Sequence, residues 1–333
     1  MKIAIVGSRS LDSLEFNLNE AFNFNKYESR IFDIYEKNIF KNKFIYQFDT
    51  LGRKFFNVYD RLVFKHLASK IIDYNPDLII CVYRFIHPDF VKNMKRLKYK
   101  VIHINPDALT TFEYQQVFAS PYDAYFTKDP YIFSFMRSKM NLNVKIYSEA
   151  FNMRLHIKPD VDKFSFENEV NIDVMTYGTI YPYRAKMLKY LIDNGVNLKI
   201  FGTKPNRFFD NSLTGAFQNK YIVGAEKSRL LYGSKIIFNQ MHYAEIESVN
   251  NRFFEANGSG AFQLCDYKPI LKQLLPIDPE LVSFVSIDDG IDKINYYLKH
   301  PKERLELATQ IYNHTLANYT YDHLIRFILK NID

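Results

Sequence analysis

The sequence predicts an α/β protein built on two doubly wound parallel sheets, each of the Rossmann-like kind. Short, continuously apolar runs of strand length alternate with longer runs of helix length. Strands that are apolar on both faces are typical of parallel sheets covered by helices on both sides. The alternation is interrupted by a polar stretch at residues 155–170 and then starts again. The length of 333 residues also suits two domains of ordinary size.

The first alternating series predicts an N-terminal domain, which we place at residues 1–160. A buried strand at 2–6 ends at a glycine, and a helix at 61–74 is closed by an Asn-Pro pair. The run D-L-I-I-C-V-Y at 77–83 predicts a second buried strand. Further strands are predicted at 101–104 and 124–127, and further helices at 88–97 and 130–139.

The second series predicts a C-terminal domain at residues 170–318. Gly195 provides the stop of a helix at 184–194. Residues 319–333 form a terminal helix that we expect to cross back to the first domain. Because ligands bind outside the carboxyl ends of such strands, we expect two facing domains with a cleft between them. The other strands are predicted at 173–177, 198–201, 221–223, 235–239 and 261–265, and the other helices at 291–298, 302–318 and 321–330.

Composition excludes several classes of protein. A hydrophobic content of 47% is that of a folded globular chain rather than a disordered one. Cys81 and Cys265 lack metal-ligand spacing and indicate a reducing compartment. The start M-K-I-A-I-V-G is too short an apolar run for a signal peptide, and no run of eighteen apolar residues would span a membrane. We therefore expect a cytoplasmic location.

The net charge of +7 suits an anionic partner. The densest basic cluster, K-N-M-K-R-L-K-Y-K at 92–100, has two interpretations. It is either the solvated face and end of one helix, or a patch that faces a membrane or an acidic acceptor. Peripheral contact with the inner membrane face is thus one expectation. Nucleic acid is disfavoured as a partner because no basic stripe with interleaved aromatic residues is present.

The segment E-S-V-N-N-R-F-F-E-A-N-G-S-G at 247–260 carries the strongest chemical signal. Its carboxylates, Glu247 and Glu255, have seven residues between them, so they lie a little over two helical turns apart. A helix starting near Ser248 would place Glu255 among apolar neighbours, where its carboxylate can accept hydrogen bonds from a ribose. Ser248 also suits a plain N-cap. The residues whose free N–H groups would then face a diphosphate are Ser248, Val249, Asn250 and Asn251.

Other candidates for the donor side surround this segment in the second domain. Gly178 ends the first strand there, and a glycine lets the backbone approach a ligand closely. Arg184 follows on the next helix and can reach a phosphate. Arg252 can add a bidentate phosphate contact or, as the structural alternative, pair with a nearby carboxylate. Gly224, after the strand at 221–223, offers backbone amides to a nucleobase without distinguishing uracil, guanine or thymine.

Candidates for the acceptor side come mainly from strand ends of the first domain. Asp107, after V-I-H-I-N-P, is the best candidate for a general base, against the alternative of a turn-capping aspartate. Glu149 precedes the joint between domains and can face the cleft. His242, just before Glu247, is a candidate contact to a donor sugar. The remaining acceptor-side candidates are Gly7, Arg9, Tyr83 and Arg84.

The segment N-N-R-F-F-E-A-N-G-S-G-A-F-Q-L-C-D-Y at 250–267 resembles the CgeB-like glycosyltransferases. These have an R-x-F-E element, then a small-residue stretch ending in glycine, then an apolar strand. The resemblance extends over residues 173–188 and 287–321 and touches A-Y-F-T-K-D-P at 124–130. Glu247 and Glu255 are also similar to the E-x7-E element of family-4 retaining glycosyltransferases.

This resemblance implies a GT-B fold and the transfer of a sugar from a nucleotide diphosphate, with no metal or other cofactor. It implies that Glu255 binds the ribose, that Glu247 faces the donor sugar, and that a basic pair neutralises the diphosphate. Thr179 stands at the usual arginine position of that pair, and Arg184 stands at the lysine position. This departure shifts the predicted phosphate contacts toward Arg184 and Arg252.

The function that we expect is a glycosyltransferase, of retaining mechanism, that uses a UDP-, GDP- or dTDP-linked sugar. Its acceptor would be a hydroxyl of a surface glycan, a lipid-linked glycan or a protein. Three alternatives stay open at this point. They are an inactive sugar-nucleotide-binding or structural protein, a glycosyltransferase acting on modified DNA, and a nucleotide-sugar epimerase of similar two-domain shape.

Overall fold

The computed structural model describes residues 1–33, 43–82, 85–107, 116–205 and 208–332. The described chain divides into two compact units. The first, termed unit 1, consists of Met1–Ser148 and Tyr321–Asp333. The second, termed unit 2, consists of Glu149–Thr320. Each unit, as far as it is described, is a parallel sheet flanked by helices, which confirms the predicted α/β class.

Unit 1 contains a six-stranded sheet within the described residues, in the order β2-β1-β3-β4-β5-β6. All its neighbouring strands pair in parallel. The order reverses between β1 and β3, so the switch point of this sheet lies at their carboxyl ends. The strands are β1 (Lys2–Val6), β2 (Glu28–Phe32), β3 (Leu78–Cys81), β4 (Lys100–Ile104), β5 (Ala124–Thr127) and β6 (Val144–Ile146).

Most helices of unit 1 bury one apolar stripe. The C-terminal helix packs on the first one, where Asn25 donates to the carboxylate of Asp322 over 2.8 Å. Phe327 of the same helix meets Phe126 of β5 edge to face. The helices are α1 (Leu14–Phe24), α2 (Lys43–Phe55), α3 (Asn57–Tyr74), α4 (Pro88–Arg96), α5 (Pro130–Met140) and α13 (Tyr321–Lys330).

Unit 2 contains a five-stranded parallel sheet within the described residues, in the order β11-β10-β9-β7-β8. Its order reverses between β7 and β9. The strands are β7 (Ile172–Tyr177), β8 (Leu198–Phe201), β9 (Ser234–Asn239), β10 (Gln263–Asp266) and β11 (Ser283–Phe284). The helices are α6 (Lys163–Val170), α7 (Pro182–Asp193), α8 (Gly224–Gly233), α9 (Asn251–Gly258), α10 (Leu271–Leu274), α11 (Ile287–Lys299) and α12 (Pro301–Asn318).

The structure corrects several predicted elements. Residues 221–223 form no strand, and α8 begins directly after them at Gly224. The polar stretch predicted as a joint contains α6, because Asp162 caps its first turn and Phe166 is buried. Edge strands β2 and β6 were not predicted, since an edge strand is half exposed and shows no continuous apolar run.

Both cysteines of the sequence, Cys81 and Cys265, are buried strand residues. Burial raises the pKa of each thiol, so neither is a reactive thiolate at neutral pH. In the part of the chain that the structure describes, no helix combines the length and apolar character needed to cross a membrane.

Candidate functional site

Glu255 lies in the second turn of α9 with its side chain buried at the carboxyl ends of β7 and β9. Only 4% of this residue is exposed. Its Oε1 accepts hydrogen bonds from Lys227 Nζ and Asn251 Nδ2, each over 3.0 Å. Its Oε2 accepts a hydrogen bond from the hydroxyl of Tyr177 over 3.2 Å. These ends belong to the switch point of the sheet, where α/β folds place their ligands.

The charge of Glu255 is maintained by Lys227. Burial raises the pKa of the Glu255 carboxyl, but the opposing charge of Lys227 and the hydrogen bonds of Lys227 and Tyr177 outweigh it. The pKa of Glu255 therefore lies below its ordinary value, and the carboxylate is ionised at neutral pH. The pair is deeply enclosed, since the side chains of Lys227 and Glu255 are 3% and 6% exposed.

Lys227 is a site residue that the sequence analysis missed. It comes from the first turn of α8, three residues after Gly224. The signal available in the sequence was the apolar Leu231, which follows Lys227 by four positions. In the structure Leu231 is fully buried. Residues at this spacing share a helix face, so the pattern places a lysine on a buried face. Gly224 was assigned to a nucleobase loop because a strand was predicted before it. In the structure Gly224 follows no strand and is the first residue of α8, with φ +53.

Gly178 follows β7 and lies between two arginine side chains. Its φ of +101 is a conformation that favours glycine. A Cβ at this position would lie 3.8 Å from Nη1 of Arg184 and 3.9 Å from Nη1 of Arg252. The carboxyl end of β7 is thus flanked by two positive charges.

Arg184 supports the loop around Gly178 from inside. It is 2% exposed, and its Nη1 donates to the carbonyl of Thr179 over 2.8 Å. Its Nη2 donates to Thr176 Oγ1 over 2.5 Å and to the carbonyl of Tyr177 over 3.0 Å. The guanidinium therefore bonds to the loop from its inner side, and the contact of Arg184 with a phosphate stays a prediction. Thr179 is exposed and takes part through its carbonyl.

Arg252 is the more accessible of the two arginines. Its Nη1 donates to the carbonyl of Tyr177 and its Nη2 to the carbonyl of Gln240, both over 2.8 Å. It therefore bonds to main-chain carbonyls rather than to a carboxylate. Burial and the charge of Arg252 lower the pKa of Arg184, and burial lowers that of Arg252. Two cations in mutual repulsion are stabilised when an anion binds between them.

The start of α9 differs from the predicted one. The N-cap is Asn250, whose Oδ1 accepts from the Phe253 N–H over 3.1 Å. Ser248 is buried and bonds to the carboxylate of Glu245, so it does not cap the helix. Val249 packs in the apolar core of unit 2. Asn251 is the first residue of α9, and the N–H groups that open the helix begin with it.

Two predicted residues near the donor sugar lie in the loop after β9. Glu247 is half-buried in that loop. His242 lies in a cluster of aromatic rings. The centre of its ring is 5.1 Å from the ring centre of Tyr181, 5.7 Å from that of Tyr183 and 4.4 Å from that of Tyr243. Its Nδ1 accepts from the Ala244 N–H over 3.1 Å, so the imidazole is held in a fixed orientation.

In unit 1, Gly7 follows β1 at the switch point of the sheet. A Cβ there would lie 2.2 Å from Oε1 of Glu15, the buried first-turn acid of α1. The same oxygen accepts from the Ser8 N–H over 2.9 Å. Burial raises the pKa of Glu15. Glu15 is a second buried acid that the sequence analysis missed, and it takes the place beside Gly7 that a bound anion takes in other Rossmann-like folds.

The other acceptor-side candidates have separate surroundings. Arg9 is exposed, and it bonds to the carboxylate of Asp33 and the carbonyl of Ile31 at the end of β2. Asp107 is half-buried in a turn whose backbone is bonded by the Asn105 side chain. Glu149 is buried and belongs to unit 2. Tyr83 and Arg84 lie outside the described residues.

Comparisons with known proteins agree with this geometry. Residues 184–330 match the family model "Glycosyl transferase-like". The spore protein CgeB of Bacillus subtilis (strain 168) is 22% identical over 177 residues, which is 49% of this chain and 54% of that protein. The match thus spans about half the length of the curated relative. The predicted resemblance to CgeB-like proteins is confirmed.

Solved structures match almost the whole chain at low identity. Sucrose-phosphate synthase from Thermosynechococcus elongatus has a TM-score of 0.68 at 11% identity, covering 99% of this chain and 98% of that one. Anabaena HepE in complex with UDP has a TM-score of 0.67 at 11% identity, covering 99% and 100%. This is the GT-B glycosyltransferase fold. The DNA modifying enzyme beta-glucosyltransferase has the same fold, with a TM-score of 0.60 at 12% identity over 100% of both chains.

The GT-B fold confirms the fold class that the sequence predicted. Together with the family model, it supports the predicted class of enzyme, a glycosyltransferase. The matched range begins at Arg184 and includes Lys227, Arg252 and Glu255, so these residues belong to the glycosyltransferase-like part of the chain.

Proposed function

We propose that unit 2 binds a nucleotide diphosphate sugar and that the protein transfers the sugar to an acceptor hydroxyl. The observation that carries this proposal is the pairing of two sites at one switch point. An ionised, buried Glu255 lies on one side, and two arginines around Gly178 lie on the other. A ribose needs hydrogen-bond acceptors and a diphosphate needs positive charge, so the two sites suit adjacent parts of one ligand.

The ribose would be bound by Glu255 and Asn251 together. Three hydrogen bonds already reach the Glu255 carboxylate, which leaves it about one further acceptor position. Asn251 Oδ1 lies beside it and has no hydrogen-bond partner among the described residues. The two hydroxyls of a ribose would each find one acceptor there. Lys227 keeps Glu255 ionised and so strengthens its acceptor role.

The diphosphate would lie over the backbone of Gly178 and Thr179. Arg252 has N–H groups beyond the two that bond to carbonyls, and the first N–H groups of α9 add a partial positive charge. The guanidinium of Arg184, on the inner side of the loop, adds positive charge to the diphosphate site. As the bond to the sugar loosens, negative charge gathers on the leaving diphosphate, and these groups stabilise it.

Catalysis would proceed without a metal and with retention of configuration. Glu247 and His242 would face the donor sugar, whose transition state has oxocarbenium character. The departing phosphate would take the proton of the acceptor hydroxyl. Asp107 is the base that an inverting reaction would use instead. The remaining candidates for the acceptor side are Gly7, Arg9, Tyr83, Arg84 and Glu149.

The donor is proposed to be a UDP-linked sugar, because HepE of the same fold was crystallised with UDP. Val249 supports the site from the core, Asn250 caps α9, and Gly224 opens the helix that carries Lys227. The acceptor would be a surface glycan, a lipid-linked glycan or a protein, in the cytoplasm or at the inner membrane face.

Calorimetric titration of the full chain with UDP, GDP and dTDP, and with their sugars, tests the proposal. We expect UDP to bind best and Asn251→Ala, which leaves the ion pair intact, to weaken UDP at least threefold. Glu280→Gln, an exposed acid on the same unit, is the matched control and should not change affinity.

Four outcomes would redirect the interpretation. If no nucleotide diphosphate binds, the glycosyltransferase proposal is wrong. Binding without donor hydrolysis or transfer to any acceptor favours an inactive sugar-nucleotide-binding protein. Transfer to modified DNA favours the DNA-modifying alternative. Conversion of the donor sugar with no acceptor present favours the epimerase alternative.

A further inference from the structure

Unit 1 presents large apolar side chains to solvent along α2 and the start of α3. Phe48, Val58 and Phe55 are 73%, 70% and 68% exposed. Large apolar surfaces that stay exposed on a folded protein commonly mark binding sites. The residues of this surface, termed the aromatic face, are Phe48, Leu51, Phe55, Phe56, Val58 and Leu62.

The spacing of these residues places them on continuous helix stripes. Phe48, Leu51 and Phe55 recur at i, i+3 and i+7 on α2, and Val58 and Leu62 recur at i and i+4 on α3. The side chains that α3 buries lie on its opposite face and are Val63, Phe64, Leu67, Ala68 and Ile71. The core of unit 1 therefore has its own stripe, and the aromatic face is additional to it.

Positive charge is concentrated beside the aromatic face. Residues 51–100 contain 11 Lys and Arg and 4 Asp and Glu, an excess of seven that equals the net charge of the entire chain. On α3, Lys65 follows Leu62 by three positions and continues the exposed stripe with a cation. Lys92 and Arg96 are exposed on α4, which packs beside α3.

A groove lies between α3, which carries Val58 and Leu62 of the aromatic face, and the basic helix α4. It has a volume of about 240 Å³. Its lining includes Arg61 and Lys65 from α3 and Asn93 from α4. Arg61 is paired with Asp89 over 2.9 Å, whereas Lys65 is exposed at the rim. The groove thus offers the exposed amine of Lys65 to an acidic headgroup, on the same helix that carries Val58 and Leu62.

We propose that the aromatic face and its basic border form a docking surface for an anionic membrane. The phenylalanine rings enter the boundary between headgroups and acyl chains, and Lys65, Lys92 and Arg96 lie over acidic headgroups. A membrane is the occupant that matches both features at once, because its apolar interior lies directly below a layer of negative charge. The inference concerns unit 1 and holds whether or not unit 2 binds a nucleotide.

Vesicle flotation with the full chain tests this surface. Vesicles of phosphatidylcholine alone are compared with vesicles that contain 30% phosphatidylserine, at low and high salt. We expect at least tenfold stronger binding to the anionic vesicles, weakened by salt. Phe55→Ser/Phe56→Ser should weaken that binding at least tenfold, since each removes apolar surface worth roughly a factor of ten.

Charge reversal is the second arm of the experiment. Lys65→Glu/Lys92→Glu should weaken binding to the anionic vesicles at least tenfold and remove most of its salt dependence. The matched controls carry equivalent changes on exposed residues of unit 2, namely Phe164→Ser and Lys272→Glu/Lys299→Glu, and should stay within twofold of the unmodified protein. Circular dichroism checks that each variant is folded.

The proposal is overturned by any of three results. Equal binding to both kinds of vesicle removes the role of charge, and unchanged binding of Phe55→Ser/Phe56→Ser removes the role of the aromatic face. If the protein binds no vesicles but forms a dimer that Phe55→Ser/Phe56→Ser converts to a monomer in light scattering, a second copy of the chain covers this surface.

Discussion

Replacing Lys227 with methionine tests whether the buried ion pair holds Glu255 ionised. In the folded protein the Lys227 Nζ lies 3.0 Å from Glu255 Oε1, and both side chains are almost fully enclosed. Lys227→Met keeps the length of the side chain but leaves a buried carboxylate without its counter-ion. Removing one partner of such a pair costs about 3–5 kcal/mol. We expect the free energy of opening unit 2 to fall by that amount at pH 7.

The effect depends on pH with a defined sign. In the unmodified protein the pKa of Glu255 lies below its ordinary value of 4.5. The ion pair therefore stabilises the fold fully above pH 4.5. This contribution is lost as the pH falls through the pKa that Glu255 has in the folded protein. In Lys227→Met, the largest opposing charge is lost, so burial raises the pKa of Glu255. The carboxyl then takes up a proton on folding, so the loss of stability in the variant is greater at pH 7 than at pH 5.

Amide hydrogen exchange of the full chain, read by mass spectrometry, measures this locally. Peptides of β7, α8 and β9 should exchange roughly 10²- to 10⁴-fold faster in Lys227→Met at pH 7. Peptides of unit 1 serve as an internal reference. Lys189→Met, which breaks the exposed pair with Asp193, is the matched control and should cost at most about 1 kcal/mol.

A double variant separates charge from packing. Lys227→Met/Glu255→Gln removes both charges, so it should recover most of the lost protection. The reasoning is refuted if Lys227→Met behaves like Lys189→Met, or if its effect is the same at pH 5 and pH 7. Either result would mean that Glu255 does not depend on Lys227 for its charge.

Two further predictions concern ligand affinity and packing. Arg252→Met should weaken UDP binding in calorimetry by at least tenfold. Arg229→Met, which removes an exposed arginine of the same unit, is the control and should leave UDP binding unchanged. If the two variants bind UDP with equal affinity, Arg252 does not belong to the phosphate site. Gly258→Ala should lower the free energy of unfolding by about 1–3 kcal/mol in chemical denaturation, because its Cβ would lie 2.2 Å from the ring of Phe151. Gly215→Ala, which meets no atom within 4 Å, is the control, and a similar effect of both variants would contradict the packing argument.

Buried strands were predictable because their signal is local. A central parallel strand is apolar on both faces, and the run at 198–201 coincides with β8. The terminal helix Tyr321–Lys330 was predicted with its observed bounds, since an apolar face at helical spacing follows from sequence alone. Half-exposed edge strands such as Glu28–Phe32 carry a mixed pattern and were missed for that reason.

The chemical site was predictable only in part. Glu255 and Arg252 lie in one short segment whose spacing already predicts a buried acid beside a cation on one helix. Arg184 was identified as a cation near Gly178, but its inward direction depends on the carbonyls of the loop that it supports. A sequence shows that an arginine is near a loop, whereas hydrogen-bond geometry shows which side of the loop it occupies.

The sequence by itself determined the two alternating series, their buried strands and the helix that carries Glu255, because each depends on periodicity within a few turns of chain. Tertiary structure decided what Glu255 meets. Lys227 is 28 residues away and Tyr177 is 78 residues away, and both reach the carboxylate because β7 and β9 are neighbours in the sheet. Gly178 and Arg252 come together in the same way. Contacts between such distant residues depend on strand order, which local patterns do not encode.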